Sequence, residues 1–239
     1  MLDFLKFWPS PKSCHPALLA NHVFFTDFDQ ANPIEEYEFV VIDTELTGMN
    51  KRRDEVLSIG AVKIKNLQIQ AGETFYSLVR PPSHKRKATD STFIHQIRPQ
   101  DLDDAPDIKT ILPELIDFCG SALFVGHYIG LDTHFLNKAA KKHYNCTIHS
   151  PCLDTIRLAQ IFSEGNFRQR ENDSRCHLSY TLPDLSHRFN LPLFEAHNAL
   201  QDALQTSYLF IYLIKSLQAT GLVTLRDFFA AGRSWARVF

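Results

Sequence analysis

Three observations predict an α/β fold for this 239-residue chain, a mixed sheet with helices packed on its faces. Three strand-like runs crowd into residues 38 to 80, close enough in sequence to form an antiparallel meander. Beyond them, apolar residues recur in several segments at the three- and four-residue spacing that marks one face of a helix. One further strand, "ALFVGH", stands between two of those helices, and a sheet drawing strands from both regions has its faces covered by the helices.

Taken in order, residues 1 to 35 hold the clusters "FLKFW" and "ALLANHVFF", broken by Pro9 and Pro11, and are expected to form an N-terminal helical extension. The main domain is expected to span 36 to 239. Its strands are "EFVVID", "EVLSIGAVKIK" and "ETFYSLV", with polar turns at 49 to 54 and 66 to 72. "APDIKTILPELIDFC" sets Ile108, Ile111, Leu112, Leu115 and Ile116 on one helix face, with Pro106 near the start. After "ALFVGH", "GLDTHFLNKAAKK" carries Leu131, Phe135, Leu136 and Ala139 at helical spacing. "LDTIRLAQIF" does the same, with Asp154 as its N-cap. A polar loop is expected from 163 to 177. Thr181 and Asp184 approximate a capping box for "LPDLSHRFN", which Asn190 and Pro192 end, and a helix over about 198 to 217 closes the core.

Composition narrows the function classes. With 44% hydrophobic and 22% charged residues the chain reads as a soluble globular protein with one main domain. No apolar run approaches the roughly 18 residues of a membrane span. The opening "MLDFLKFWPS" lacks a basic leader with a cleavage site, so a cytoplasmic location away from membranes is expected. Five scattered cysteines with no C-x-x-C pair disfavour a zinc knuckle or a disulfide scaffold. A net charge of −2 disfavours coating of long duplexes but not an enzyme gripping a few nucleotides. Basic stretches occur at 84 to 87, at Lys138, Lys141 and Lys142, and at Arg168, Arg170 and Arg175. Such runs are more often plain solvated faces, and the arginines of the 163–177 loop are the first candidates for holding a polyanion.

The chemistry is carried by carboxylates at element ends. In "VVIDTELTG" a buried-strand pattern runs into Asp43 and Glu45, which share a face about 7 Å apart because strand side chains alternate. Asp132 falls just beyond the strand "ALFVGH", in the first turn of the next helix. "HNALQD" adds His197 and Asp202. Five helical residues rotate by about 500°, so the two share no helix face, and His197 is placed in the loop before a helix capped near Asn198. Each acid alone reads as a salt-bridged or solvated residue, and His197 alone as a structural histidine. Together, four oxygen donors form a hard-cation site suited to Mg²⁺ or Mn²⁺.

In these residues the sequence resembles the DEDD superfamily of 3′–5′ exonucleases, in the branch whose last motif carries histidine, a group that includes the proofreading epsilon subunit of bacterial replicative polymerase and ribonuclease T. The motifs are "VVIDTELTG", "GHYIGLDTHFL" and "HNALQDA", with "FIHQI" and "LDTIRLA" between them, over about 38 to 215. The resemblance implies a ribonuclease-H-like fold with a five-stranded mixed sheet whose first three strands are antiparallel. It implies two divalent ions, Mg²⁺ or Mn²⁺, held by Asp43, Glu45, Asp132 and Asp202, with His197 as general base. It implies release of nucleoside 5′-monophosphates from 3′ ends of single-stranded DNA or RNA, DNA ahead of RNA, with a partner in replication or repair. Thr44, Leu46, Thr47 and His95 would line the terminal-nucleotide pocket, although Leu46 also reads as core and His95 as a loop residue. Gln96 stands where the family often has Gly, and Tyr128 where it often has Asn, which bears on how the last nucleotides are held. Competing readings are a noncatalytic nucleic-acid-binding module of a larger assembly, an oligoribonuclease-like RNA exonuclease, and an internal nuclease of related fold.

Overall fold

A computed structural model describes residues 14–82, 97–167, 179–195 and 197–235. The segment "HKRK", residues 93 to 96 of "FIHQI" with His95 and Gln96, and the arginines Arg168, Arg170 and Arg175 lie outside them. Five strands form one sheet: β1 (Phe39–Leu46), β2 (Val56–Lys65), β3 (Gln68–Leu78), β4 (Leu123–Gly126) and β5 (Cys152–Asp154). The order is β3-β2-β1-β4-β5, with the first three antiparallel and β4 and β5 running parallel to β1. Seven α-helices occur among the described residues: α1 (Pro16–Thr26), α2 (Ile108–Cys119), α3 (Gly130–Tyr144), α4 (Thr155–Phe167), α5 (Leu182–Arg188), α6 (Ala199–Gln218) and α7 (Leu225–Trp235).

Strand alternation divides the helices into two layers. On β1, Val40 and Ile42 point into a core shared with α1, α2 and α3. Phe39 and Val41 point the other way, into a core with α4, α5, α6 and α7. A fully covered central strand has no need of polar residues, and β1 stays buried until Asp43. The described part of the N-terminal segment joins both layers: Leu18 enters the first core, while Ile34 enters the second. No helix among the described residues is long and apolar enough to cross a membrane.

Two local expectations need correction. The turn expected at 66 to 72 shrinks to Asn66 and Leu67, both at positive φ, because Gln68 pairs with Lys65 and Ile69 with Ile64. The start of β3 looked like a loop because an edge strand remains half solvated, with polar side chains and the cross-strand pairs Lys63–Glu73 and Lys65–Glu73. Residues 163 to 167, expected in a loop, continue α4, and Ser163 is buried. Asp154 ends β5 and directly precedes α4, in the N-cap position expected of it. Its carboxylate accepts from the Ile156 N–H, as a cap does. Finally, Cys14 and Cys146 form a disulfide across a Cα separation of 5.7 Å, one bond rather than a scaffold.

Candidate active site

Because β1, β4 and β5 are parallel, their carboxyl ends open on one edge of the sheet, where α/β folds place their ligands. Asp43 and Glu45 are odd-numbered and face the α6 layer, as Phe39 and Val41 do. Thr44 faces the opposite layer, from which α3 brings Asp132. The Thr44 hydroxyl donates to Asp132 Oδ1 at 2.6 Å, with both residues buried. One strand end therefore draws acids from both helical layers.

Asp202 arrives on α6. Asn198 is the N-cap, its side chain accepting from the N–H groups of Leu200 and Gln201. Asp202 reaches back and accepts from the His197 N–H through Oδ2 at 2.9 Å. His197 thus sits outside the helix at a φ of 66°, exposed. The first turn of α6 approaches so closely because Gly60, paired with Asp43, has no side chain. A Cβ there would lie 2.2 Å from the Ala199 carbonyl carbon. Gly60 is the site residue that motif reading missed, although an isolated glycine inside a strand pattern is a signal for close backbone approach.

One oxygen each from Asp43, Glu45 and Asp202 lie within 4.8 Å of one another. No ion pair between these acids or Asp132 and a lysine or arginine occurs among the described residues. The electrostatics record the crowding. Burial, then Asp132, Asp202 and Glu45, hold Asp43 well above the usual carboxylate range. Burial with Asp202 and Asp132 pushes Glu45 up to about 7. Asp132 is raised to about 7 by burial, against the pull of the Thr44 hydroxyl. Burial also raises Asp202, while the His197 N–H lowers it. Such a set of clustered anionic oxygens without protein cations fits a divalent metal.

The residues expected to line the terminal-nucleotide pocket have the following surroundings. Leu46 packs in the first core. The Thr47 hydroxyl donates to Asp54 Oδ1 at 3.0 Å, bracing the turn between β1 and β2. His95 lies outside the described residues. Of the basic candidates at 138 to 142, Lys138 is already engaged, with Nζ 2.6 Å from the Asp54 carbonyl and 3.2 Å from Glu55 Oε1. Tyr76, unremarked in the sequence, lies directly across from Gly60 and feels the Glu45 charge, which together with burial raises its phenol.

An exonuclease family model, RNase_T, matches residues 40–210. The chain is 33% identical over 195 residues to a PolC-type DNA polymerase III from Caldanaerobacter subterraneus, covering 80% of this chain and 13% of that protein. It therefore spans only a small part of such polymerases. It is 30% identical to a DNA polymerase III subunit epsilon from Aquifex aeolicus, covering 75% of this chain and 81% of the relative. The structure of Exonuclease X in complex with 5′ overhanging duplex DNA superposes with a TM-score of 0.60 at 21% identity, over 81% of this chain and 99% of that one. Its fold is the ribonuclease-H-like fold seen here.

Proposed function

The chain belongs to the exonuclease family, and from that premise we propose that it is a metal-dependent 3′–5′ exonuclease acting on single-stranded nucleic acid, DNA in preference to RNA. The observation that carries the reading is the trio of acid oxygens within 4.8 Å at the sheet's carboxyl edge, with His197 exposed beside Asp202. Asp43, Glu45, Asp132 and Asp202 would hold two divalent ions, Mg²⁺ or Mn²⁺. When bound, those ions supply Lewis acidity that polarises the phosphodiester and acidifies water. Asp43 is central to the set, because all three other acids act on it. The Thr44 hydroxyl favours the ionised form of Asp132 against the burial that raises it. His197 is the general base, with its backbone fixed by Asp202 so that the ring is presented from outside the helix. Leu46 and the backbone of Thr44 and Thr47, with His95, would floor the pocket of the terminal nucleotide, which leaves as a nucleoside 5′-monophosphate.

The DNA preference follows the relatives, which are named as DNA polymerase components, and the overhanging duplex held by Exonuclease X. A replication or repair polymerase as partner and a cytoplasmic location belong to the same reading.

End-labelled DNA and RNA oligonucleotides, with and without a blocked 3′ end, test it in Mg²⁺, in Mn²⁺ and in excess chelator. The expected result is stepwise shortening from the free 3′ end, faster on DNA and abolished by chelation. Internal cuts in 3′-blocked strands would make it an internal nuclease. Metal-induced stabilisation without any cleavage would make it a binding module.

A further inference from the structure

Tyr128 lies in the turn between β4 and the helix that carries Asp132, in a conformation that a tyrosine does not adopt unaided. Its φ is 66°, in the left-handed region that bulky side chains rarely occupy. The residue is 60% exposed, and its ring is in no ring contact among the described residues. The surrounding turn imposes this backbone. The Tyr128 N–H donates to Asp154 Oδ1 at 3.2 Å, and its carbonyl accepts from the Leu131 N–H at 3.0 Å. His127 beside it is fixed by Nδ1 at 2.9 Å from Thr155 Oγ1, and burial lowers that imidazole to about 4, so it is neutral at pH 7. On the other side, Gly126 is closely packed: a Cβ there would lie 2.7 Å from Ile129 Cδ1 and 3.0 Å from the Ile42 carbonyl oxygen. The end of β5 and the start of α4 thus clamp the turn that leads from β4 to Asp132.

The same device occurs on the approach to Asp202. His197 also has a φ of 66°, its N–H is also held by an aspartate, and the residue is also exposed. Each of the two helices that carry a site acid is thus preceded by an exposed, ring-bearing left-handed residue pinned by a carboxylate. Strain kept at an exposed residue points to a role for the ring beyond the fold. A rigidly presented ring costs little conformational entropy on binding, and every nucleobase offers a face to stack on it.

We infer that Tyr128 is a stacking platform for a nucleobase upstream of the nucleotide being removed, an inference that rests on the nuclease reading of the adjacent acids. Because stacking tolerates any base, the platform would contribute affinity for single-stranded DNA without base preference. The hydroxyl takes no part, so phenylalanine should replace tyrosine, whereas asparagine, which tolerates the left-handed backbone, should restore comfort but lose the platform.

The experiment measures binding of a labelled single-stranded DNA, protected at its 3′ linkages by phosphorothioates, to the full chain and to Tyr128→Phe and Tyr128→Asn. Single abasic sites are placed at the second, third and fourth positions from the 3′ end. Expected are affinity within twofold for Tyr128→Phe and about tenfold weaker binding for Tyr128→Asn, at the lower end of base–aromatic stacking. One abasic position should cost the wild type the same factor and cost Tyr128→Asn nothing further, the signature of a coupled pair. Tyr128→Asn should melt no lower than the wild type. Equal affinity of Tyr128→Asn and wild type, or equal abasic losses in both, overturns the inference. If the coupling appears but no oligonucleotide is shortened in Mg²⁺, the nuclease reading fails and the platform stands. If strands are shortened without coupling, the platform alone fails, and if the wild type binds no oligonucleotide, both fail.

Discussion

His197 and Asp202 illustrate how one backbone hydrogen bond can separate two functions that the sequence puts five residues apart. Asp202 offers one oxygen to the acidic trio, while its Oδ2 holds the His197 N–H. Replacing His197 with Ala removes the ring but keeps that backbone contact. Turnover should then fall by roughly 10² to 10⁴, while the metal-induced rise in Tm persists. Unchanged turnover would reduce His197 to scaffolding. Asp43→Ala, by contrast, should lose the metal-induced rise altogether. Thr44 acts one step away from the proposed metal site. Its hydroxyl favours the ionised form of Asp132, so Thr44→Val raises that carboxyl further above about 7. Metal-dependent stabilisation of Thr44→Val should accordingly move to higher pH by about one to two units, the equivalent of a hydrogen bond to a charged group. A profile that superposes on the wild type would show that the bond does not tune Asp132.

Among the elements, the contact between β2 and the first turn of α6 decides whether the site exists. Gly60→Ala puts a methyl group 2.2 Å from the Ala199 backbone, and since both partners are main chain, the helix itself must move. Overpacking of this kind costs about 1 to 3 kcal/mol. The displacement of Asp202 should lower activity by roughly 10², as misplacements near 1 Å do. Melting curves with and without Mg²⁺ check both parts: Tm falls, and the metal-induced increment shrinks. Loss of the cap in Asn198→Ala is milder, about 0.5 to 2 kcal/mol in urea denaturation, because the helix frays without being pushed from the sheet.

For the whole molecule, the acidic site makes stability without metal depend on pH in an unusual direction. Asp43, Glu45, Asp132 and Asp202 are all raised in the folded chain, so between the ordinary carboxylate range near 4 and about 7 the folded state holds protons that the unfolded chain has released. Where the folded state binds more protons, stability falls as pH rises. Tm in excess chelator should therefore decline from about pH 4.5 to 7.5, and the increment produced by Mg²⁺ should grow over the same window, since the cation binds the ionised oxygens. Constant Tm across that range in chelator would mean that the four acids are not crowded in solution.

What the sequence determined by itself are the features with a local period. Alternation along β1 sets Asp43 and Glu45 on one face, and the 100° step of a helix puts His197 outside α6 once Asn198 is its cap. The two-layer arrangement of helices on a mixed sheet was legible for the same reason, from runs of period 2 and 3.6. Tertiary structure alone decided what depends on partners distant in the chain. Polar residues 68 to 72 become strand because β2 supplies a ladder, and Cys152–Asp154 becomes β5 because β4 lies beside it. Likewise Asp132 reaches the site from the layer opposite Asp202 through Thr44, and Gly60 shows its purpose only when α6 lies against it. Periodicity states which way a side chain points, whereas the group it meets is fixed by packing between segments that no local pattern relates.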